Sequence, residues 1–230
     1  MQKHTTRIKA LSTIFQVLDG SFPSGSFVHS FGFEPFVNSE NISDINLLKN
    51  FIENLLIDQY QNNEYVLIGG IYESLLAGNI EKIKKLQNEF IAMQTYEFAN
   101  AYQTIGENYL YHLKHIKIKN PMCNLLIDEI LNDKLKSFDL VILSIYAFDL
   151  GLELEELLAL LTKKNLINIC SSALKISRIK PSEIQKLLFD FDEIIEQITY
   201  VKTKRLNYFN PYFEERILKH KFLEPKLFKT

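Results

Sequence analysis

The chain is short of the residues that crosslink or interrupt a fold. Only two cysteines, Cys123 and Cys170, occur in 230 residues, well separated and outside any C-x-x-C. That excludes a disulfide framework, a zinc finger and a thioredoxin-like motif, and it predicts a reduced, cytoplasmic protein. Eight glycines and six prolines leave most of the length free to be helical. No stretch approaches the roughly 18 apolar residues of a membrane span, and the opening MQKHTTRIKALSTIFQVLDG lacks the apolar core of a signal peptide. A soluble protein that meets no membrane is expected. A formal net charge of −2 supplies no global field towards nucleic acid. Alternating runs of strand length, internal repeats and low-complexity linkers are also missing.

What remains is the composition of an ordinary folded domain, 47% hydrophobic and 23% charged. The expected architecture is all-α: one domain over residues 1–230, eight to ten helices, and a distinct C-terminal segment over 201–230. Helical spacing of Ile8, Leu11, Phe15 and Leu18 predicts a first amphipathic helix over 7–19 with those residues inward. Ser43 reads as the N-cap of a helix reaching about Asn62 and burying Leu48, Phe51, Ile52, Leu55 and Leu56. A separate helix over 64–77 should close at Gly78, and Asn79 should cap the next, with Ile83 and Phe90 inward. Residues 95–117 read as one long helix in which Gly106 invites close approach of a neighbour. Pro121 marks a boundary. Helices over 124–132, 137–150, 153–161 and 165–176 follow, and Pro181 opens one to about Tyr200.

The stretch SFPSGSFVHSFGFE, residues 21–34, gathers Ser21, Ser24, Ser26, Ser30 and His29 close to Asp19. Triad chemistry needs such groups to converge beside an oxyanion hole, and neither a G-x-S-x-G elbow nor a strand to carry one is present. No catalytic residue is assigned. His112 and His115 stand at i, i+3 without a partnering carboxylate, so solvated histidines are the first reading and metal ligation the second. Gly69-Gly70 lacks the Lys-Ser/Thr of a phosphate loop. From Val201 onwards the chain is basic by eight residues to three and carries Tyr208, Phe209, Tyr212, Phe213, Phe222 and Phe228. Such a segment either docks on a partner or packs on its own domain.

SFPSGSFVHSFGFE resembles the N-terminal signature of the urease accessory protein UreF family, matching it at Ser21, Phe22, Pro23, Gly25, Ser26, Phe27, His29, Ser30, Gly32 and Glu34. Glu97, Ala101 and Gly106 fit the family's E-x-R-x-A-S-x-x-x-G helix, with Ala99 at the Arg position and Tyr102 at the Ser position. SIYAFDLGLELEE, residues 144–156, is similar to a further family segment, with Asp139 standing where a His is usual. The terminal KHKFLEPKLFKT matches at His220, Leu227 and Phe228, with Lys226 in place of Arg.

The resemblance implies an all-α homodimer that is not an enzyme and carries no cofactor. It implies binding to UreD (also called UreH), recruitment of the GTPase UreG, and delivery of nickel to apo-urease. On this reading Phe22, Pro23, Phe27, His29, Ser30 and Glu34, with Phe31 and Phe33, form one partner-binding element. His220, Phe222, Lys226, Leu227 and Phe228 form another. The alternative is a helical protein that itself binds nickel through His112 and His115 or His220.

Overall fold

The structure is a computed structural model that describes residues 2–26, 33–40, 44–197 and 205–207, with single positions at 215, 219, 222 and 224. Among the described residues it is all-α: ten α-helices and one π-helical segment, with no strand.

Helix α1 (Gln2–Leu18) runs along α9 (Leu154–Ile176). Its buried residues are Ala10, Ile14, Val17 and Leu18, whereas Ile8, Leu11 and Phe15 are 59%, 43% and 75% exposed. The expected inward stripe is therefore outward, apart from Leu18. Both stripes have helical spacing, and periodicity cannot choose between them. Packing against α9 does, and beside that seam Arg7 pairs with Glu156 at the start of α9 while its Nη1 donates to the carbonyl of Gly151 at 3.3 Å. Ala10 is small enough for α1 to sit close on its inward face.

Helix α2 (Phe33–Glu40) brings Phe33 and Phe36 against Phe51 of α3 (Ile45–Asn54), with ring centroids 5.3 and 4.7 Å apart. Asp44, rather than Ser43, supplies the observed cap of α3, its Oδ1 accepting from the Asn46 N–H at 2.8 Å; Ser43 lies outside the described residues. The chain does not break near Asn62. It continues through a π-helical segment (Leu55–Glu64) into α4 (Tyr65–Ala77), and the Tyr65 N–H donates five residues back to the Tyr60 carbonyl. Within this segment the inward residues come in pairs four apart, Leu55/Leu56, Gln59/Tyr60 and Asn63/Glu64. An ideal α-helix would rotate successive pairs off one face; the wider π winding keeps them together.

Helices α4 and α8 (Asp139–Asp149) are buried over most of their length and pack on each other in the middle of the molecule. Around them lie α5 (Ile80–Met93) on α4, α6 (Tyr96–Leu113) and α7 (Pro121–Leu131) on α8, and α10 (Pro181–Gln197) on α9. Gly78 ends α4 in the left-handed region at φ +68°, and Asn79 caps α5 by accepting from the Lys82 N–H at 3.0 Å. Helix α6 stops at Leu113, short of Lys117. At Gly106 it lies so close to the start of α8 that a Cβ there would stand 1.7 Å from the Ser137 carbonyl oxygen. The two helices expected over 153–161 and 165–176 are one, because nothing from Thr162 to Lys164 interrupts the ladder and Thr162 Oγ1 bonds back to the Leu158 carbonyl. After α10 the chain returns to the π segment, where Leu206 is buried and the Asn207 N–H donates to the Asn62 carbonyl at 3.0 Å.

Candidate functional site

The described part of the signature loop is held by local bonds. Asp19 accepts from the Ser21 N–H at 2.8 Å and from the Ser21 hydroxyl, and these bonds hold its carboxyl below the usual range. The Ser24 N–H donates to the Phe22 carbonyl at 2.7 Å, and the Ser24 hydroxyl donates to Ser26 Oγ at 3.1 Å. Gly25 sits at φ +82°, a conformation that costs a side-chain-bearing residue roughly 1–2 kcal/mol. Helix α6 then fixes the loop from outside: Asn108 Nδ2 donates to the Ser24 carbonyl at 2.9 Å, and Phe22 stacks on Tyr109 at 5.5 Å and meets His112 edge-on at 5.8 Å.

The sequence-derived site residues therefore separate. Phe22 is half-buried on α6 and Pro23 faces solvent. Phe33 is fully enclosed and Glu34 only 2% exposed. Both side chains are turned into this chain's own core, where Phe33 packs on Phe36 and Phe51. Ser24 and Ser26 are buried as well. Phe27, His29, Ser30 and Phe31 lie outside the described residues, as do His220, Lys226, Leu227 and Phe228. Phe222 is described and 84% exposed. His112 rests between aromatic rings, Phe22 on one side and Tyr111 at 5.0 Å, while His115 is exposed. Among the described residues no three His, Cys, Asp or Glu side chains gather as metal ligands. Burial pushes the Cys123 and Cys170 thiols up to about 12, which keeps them protonated and unreactive at neutral pH.

Sequence reasoning missed a buried polar cluster beneath the loop. Ser26, Gln59, Tyr60, Glu64, Tyr102 and Asp139 line a narrow cavity of about 30 Å³, room for about two water molecules. Glu64 Oε1 accepts from Gln59 Nε2 at 3.0 Å and from the Tyr102 hydroxyl at 2.9 Å. Burial nevertheless raises the Glu64 carboxyl above its usual range. Asp139 Oδ1 accepts from the Leu140 N–H at 2.7 Å, yet burial pushes this carboxyl to about 7, against the opposing pull of the Lys164 ammonium. Asn63 is wholly buried, and among the described residues neither its Nδ2 nor its Oδ1 has a partner; Gln59 Oε1 and Glu64 Oε2 are in the same position. The available signal was the polar set 59, 63 and 64 inside an apolar helical pattern, which only the π winding turns to one side.

The outward apolar face of α1 borders a cleft of about 190 Å³ between Phe15, Leu18, Leu160 and Ile167. In all, the described residues form an all-helical protein whose serine-rich loop is tied into its own hydrogen bonds and whose uncovered apolar side chains, Phe222 apart, lie on helices.

Comparison with known proteins places the fold in a family. A sequence profile described as UreF matches residues 42–192, about two thirds of the chain, and the chain belongs to the UreF family. It is 23% identical over 225 residues to the urease accessory protein UreF of Bacillus sp. (strain TB-90), covering 96% of this chain and 99% of that one. It is 31% identical over 70 residues to the protein of the same name from Streptococcus thermophilus, a match spanning 30% of each chain. With the Geobacillus kaustophilus protein of that name it shares 34% over 85 residues, 35% of this chain and 36% of the relative. The profile match begins beyond the signature loop and ends before the C-terminal segment.

Proposed function

We propose that this chain is a non-enzymatic scaffold in urease maturation. It bridges a UreD/UreH-type protein and a UreG-type GTPase so that nickel reaches apo-urease, and it acts as a single-domain homodimer in the cytoplasm. The observation that carries this reading is the alignment with a urease accessory protein along 96% of the chain. Two structural features support it. The backbone over residues 21–26 is already ordered by Gly25, Asn108 and the Phe22–Tyr109 stack, so contact through Pro23 costs little further conformational entropy. Phe222 is a large apolar side chain in a basic segment and 84% exposed, a surface that association would remove from water.

The test is co-purification from cells expressing this chain with UreD/UreH-type and UreG-type proteins. The full chain retains both, and a variant ending at Leu218 retains neither. Normal retention by the truncated chain overturns the role given to the tail; failure of the full chain to retain either protein overturns the scaffold itself.

A further inference from the structure

A groove of about 720 Å³ lies between α6 and α7, both of which pack on α8. Tyr146 of α8 lines its depth, Leu110 and Tyr111 form one wall, and Ile127 and Leu131 form the other. Tyr111 and Leu131 are 63% and 65% exposed, so these walls are uncovered. The groove is positive at one end. Lys114 and Lys117 line it where α6 finishes, and the one acid lining it among the described residues, Glu107, accepts from Gln103 Nε2 at 2.9 Å. Past Lys117 the surface continues into a second hollow of about 550 Å³ carrying Lys9, His115 and Lys119. The acid in that hollow, Asp149, is taken up by the backbone N–H groups of Lys119 and Asn120 at 2.8 and 2.6 Å. Among the described residues Lys114, Lys117 and Lys119 make no ion pair, and the Lys114 ammonium lies 3.9 Å from the centre of the Tyr111 ring.

An apolar trough walled by two helices takes a third helix by its i, i+4, i+7 side chains, and a row of unmatched cations at one end selects the charge of the guest. We propose that the α6–α7 groove docks an acidic amphipathic helix of a partner protein, its aliphatic residues between Tyr111 and Leu131 and its carboxylates on Lys114 and Lys117. The surface uses neither the Phe22 loop nor the segment from Lys219 onwards, so it stands independently of the urease reading.

The experiment titrates the full chain into two fluorescein-labelled synthetic helices of 18 residues, one built from Leu and Glu and one from Leu and Lys in the same pattern, and follows anisotropy. The Leu/Glu helix binds saturably and at least tenfold more tightly than the Leu/Lys helix. Lys114→Glu/Lys117→Glu weakens it at least tenfold, and Leu131→Glu at least fivefold. All three altered residues are exposed, so the variants keep the wild-type circular dichroism spectrum and melting temperature. Hydrogen exchange with the Leu/Glu helix bound slows in 107–118 and 124–131. The proposal is overturned if both helices bind equally, if neither binds, if the variants keep full affinity, or if protection falls elsewhere, such as on α1. It is also overturned if the full chain binds vesicles containing anionic lipid more tightly than the Leu/Glu helix and the same variants abolish that binding, since the surface then serves a membrane.

Discussion

Replacing Gly106 with alanine tests the closest approach made to any of the described glycines. In an open helix the change would stabilise by about 1 kcal/mol, since glycine is the poorer helix former. Here the new Cβ would lie 1.7 Å from the Ser137 carbonyl oxygen and 2.6 Å from the Asp139 nitrogen. Both are backbone atoms, so relief requires α6 and α8 to part, and overpacking of this kind costs about 3 kcal/mol or more. Helix α8 is in the middle of the fold, and Asp139 beside the contact lines the polar cavity, so the displacement also opens the buried cluster to water. At about 2–4 °C per kcal/mol for a chain of this size, thermal unfolding followed by circular dichroism should fall by about 6–12 °C. Gly70→Ala is the control. Its Cβ would meet Leu86 Cδ1 at 2.6 Å, the far end of a side chain that can turn away, and the expected cost is within about 1 kcal/mol. A Gly106→Ala melting temperature within about 2 °C of wild type would refute the argument that backbone contact, not helix propensity, decides this position.

Three further outcomes are expected. The folded protein holds protons on Asp139 and Glu64 that the unfolded chain has already released. The stability this gives is present in full below about pH 4 and is lost as pH rises through the folded-state values, near 7 for Asp139. Urea midpoints should therefore fall between pH 5 and 8, and Asp139→Asn/Glu64→Gln should flatten that dependence; an unchanged slope would mean the carboxyls are not the buried acids described. Gly25→Ala should cost roughly 1–2 kcal/mol through its positive φ and speed amide exchange at Ser24 and Ser26, and exchange as slow as wild type would count against a strained loop. Calorimetric titration with nickel should give the same isotherm for wild type and His112→Ala/His115→Ala; stoichiometric binding lost in the double variant would instead support a metal-binding protein.

The helical class and most element ends were legible because their signals are local. Asn79, Gly78, Thr95 and Pro121 do what their side chains or backbones dictate wherever the chain goes. The tight approach at Gly106 was legible for the same reason. Three features were not. The rotation of α1 is set by its packing on α9, far along the chain, and the outward stripe of Ile8, Leu11 and Phe15 looks just as apolar as the inward one. The π winding of residues 55–64 rests on a pairing of inward residues four apart that resembles an ordinary helix until its hydrogen bonds are seen. The polar cavity is assembled from the π segment, α6 and α8 together, so Glu64, Tyr102 and Asp139 become neighbours only once the helices have packed. In the signature loop the serines sit beside a histidine without an elbow or strand to make a triad, and Ser21, Ser24 and Ser26 act as hydrogen-bonding struts while Phe33 belongs to the core.

If the chain is the scaffold proposed above, nickel reaches urease only in its presence. The direct measurement is the nickel content of urease purified from cells that express it with its accessory proteins, with and without this chain, determined by elemental analysis per active site. Nickel is expected near full occupancy with the chain and near background without it, restored by the full chain and not by the variant ending at Leu218. Full nickel occupancy in its absence would contradict the proposed scaffold role.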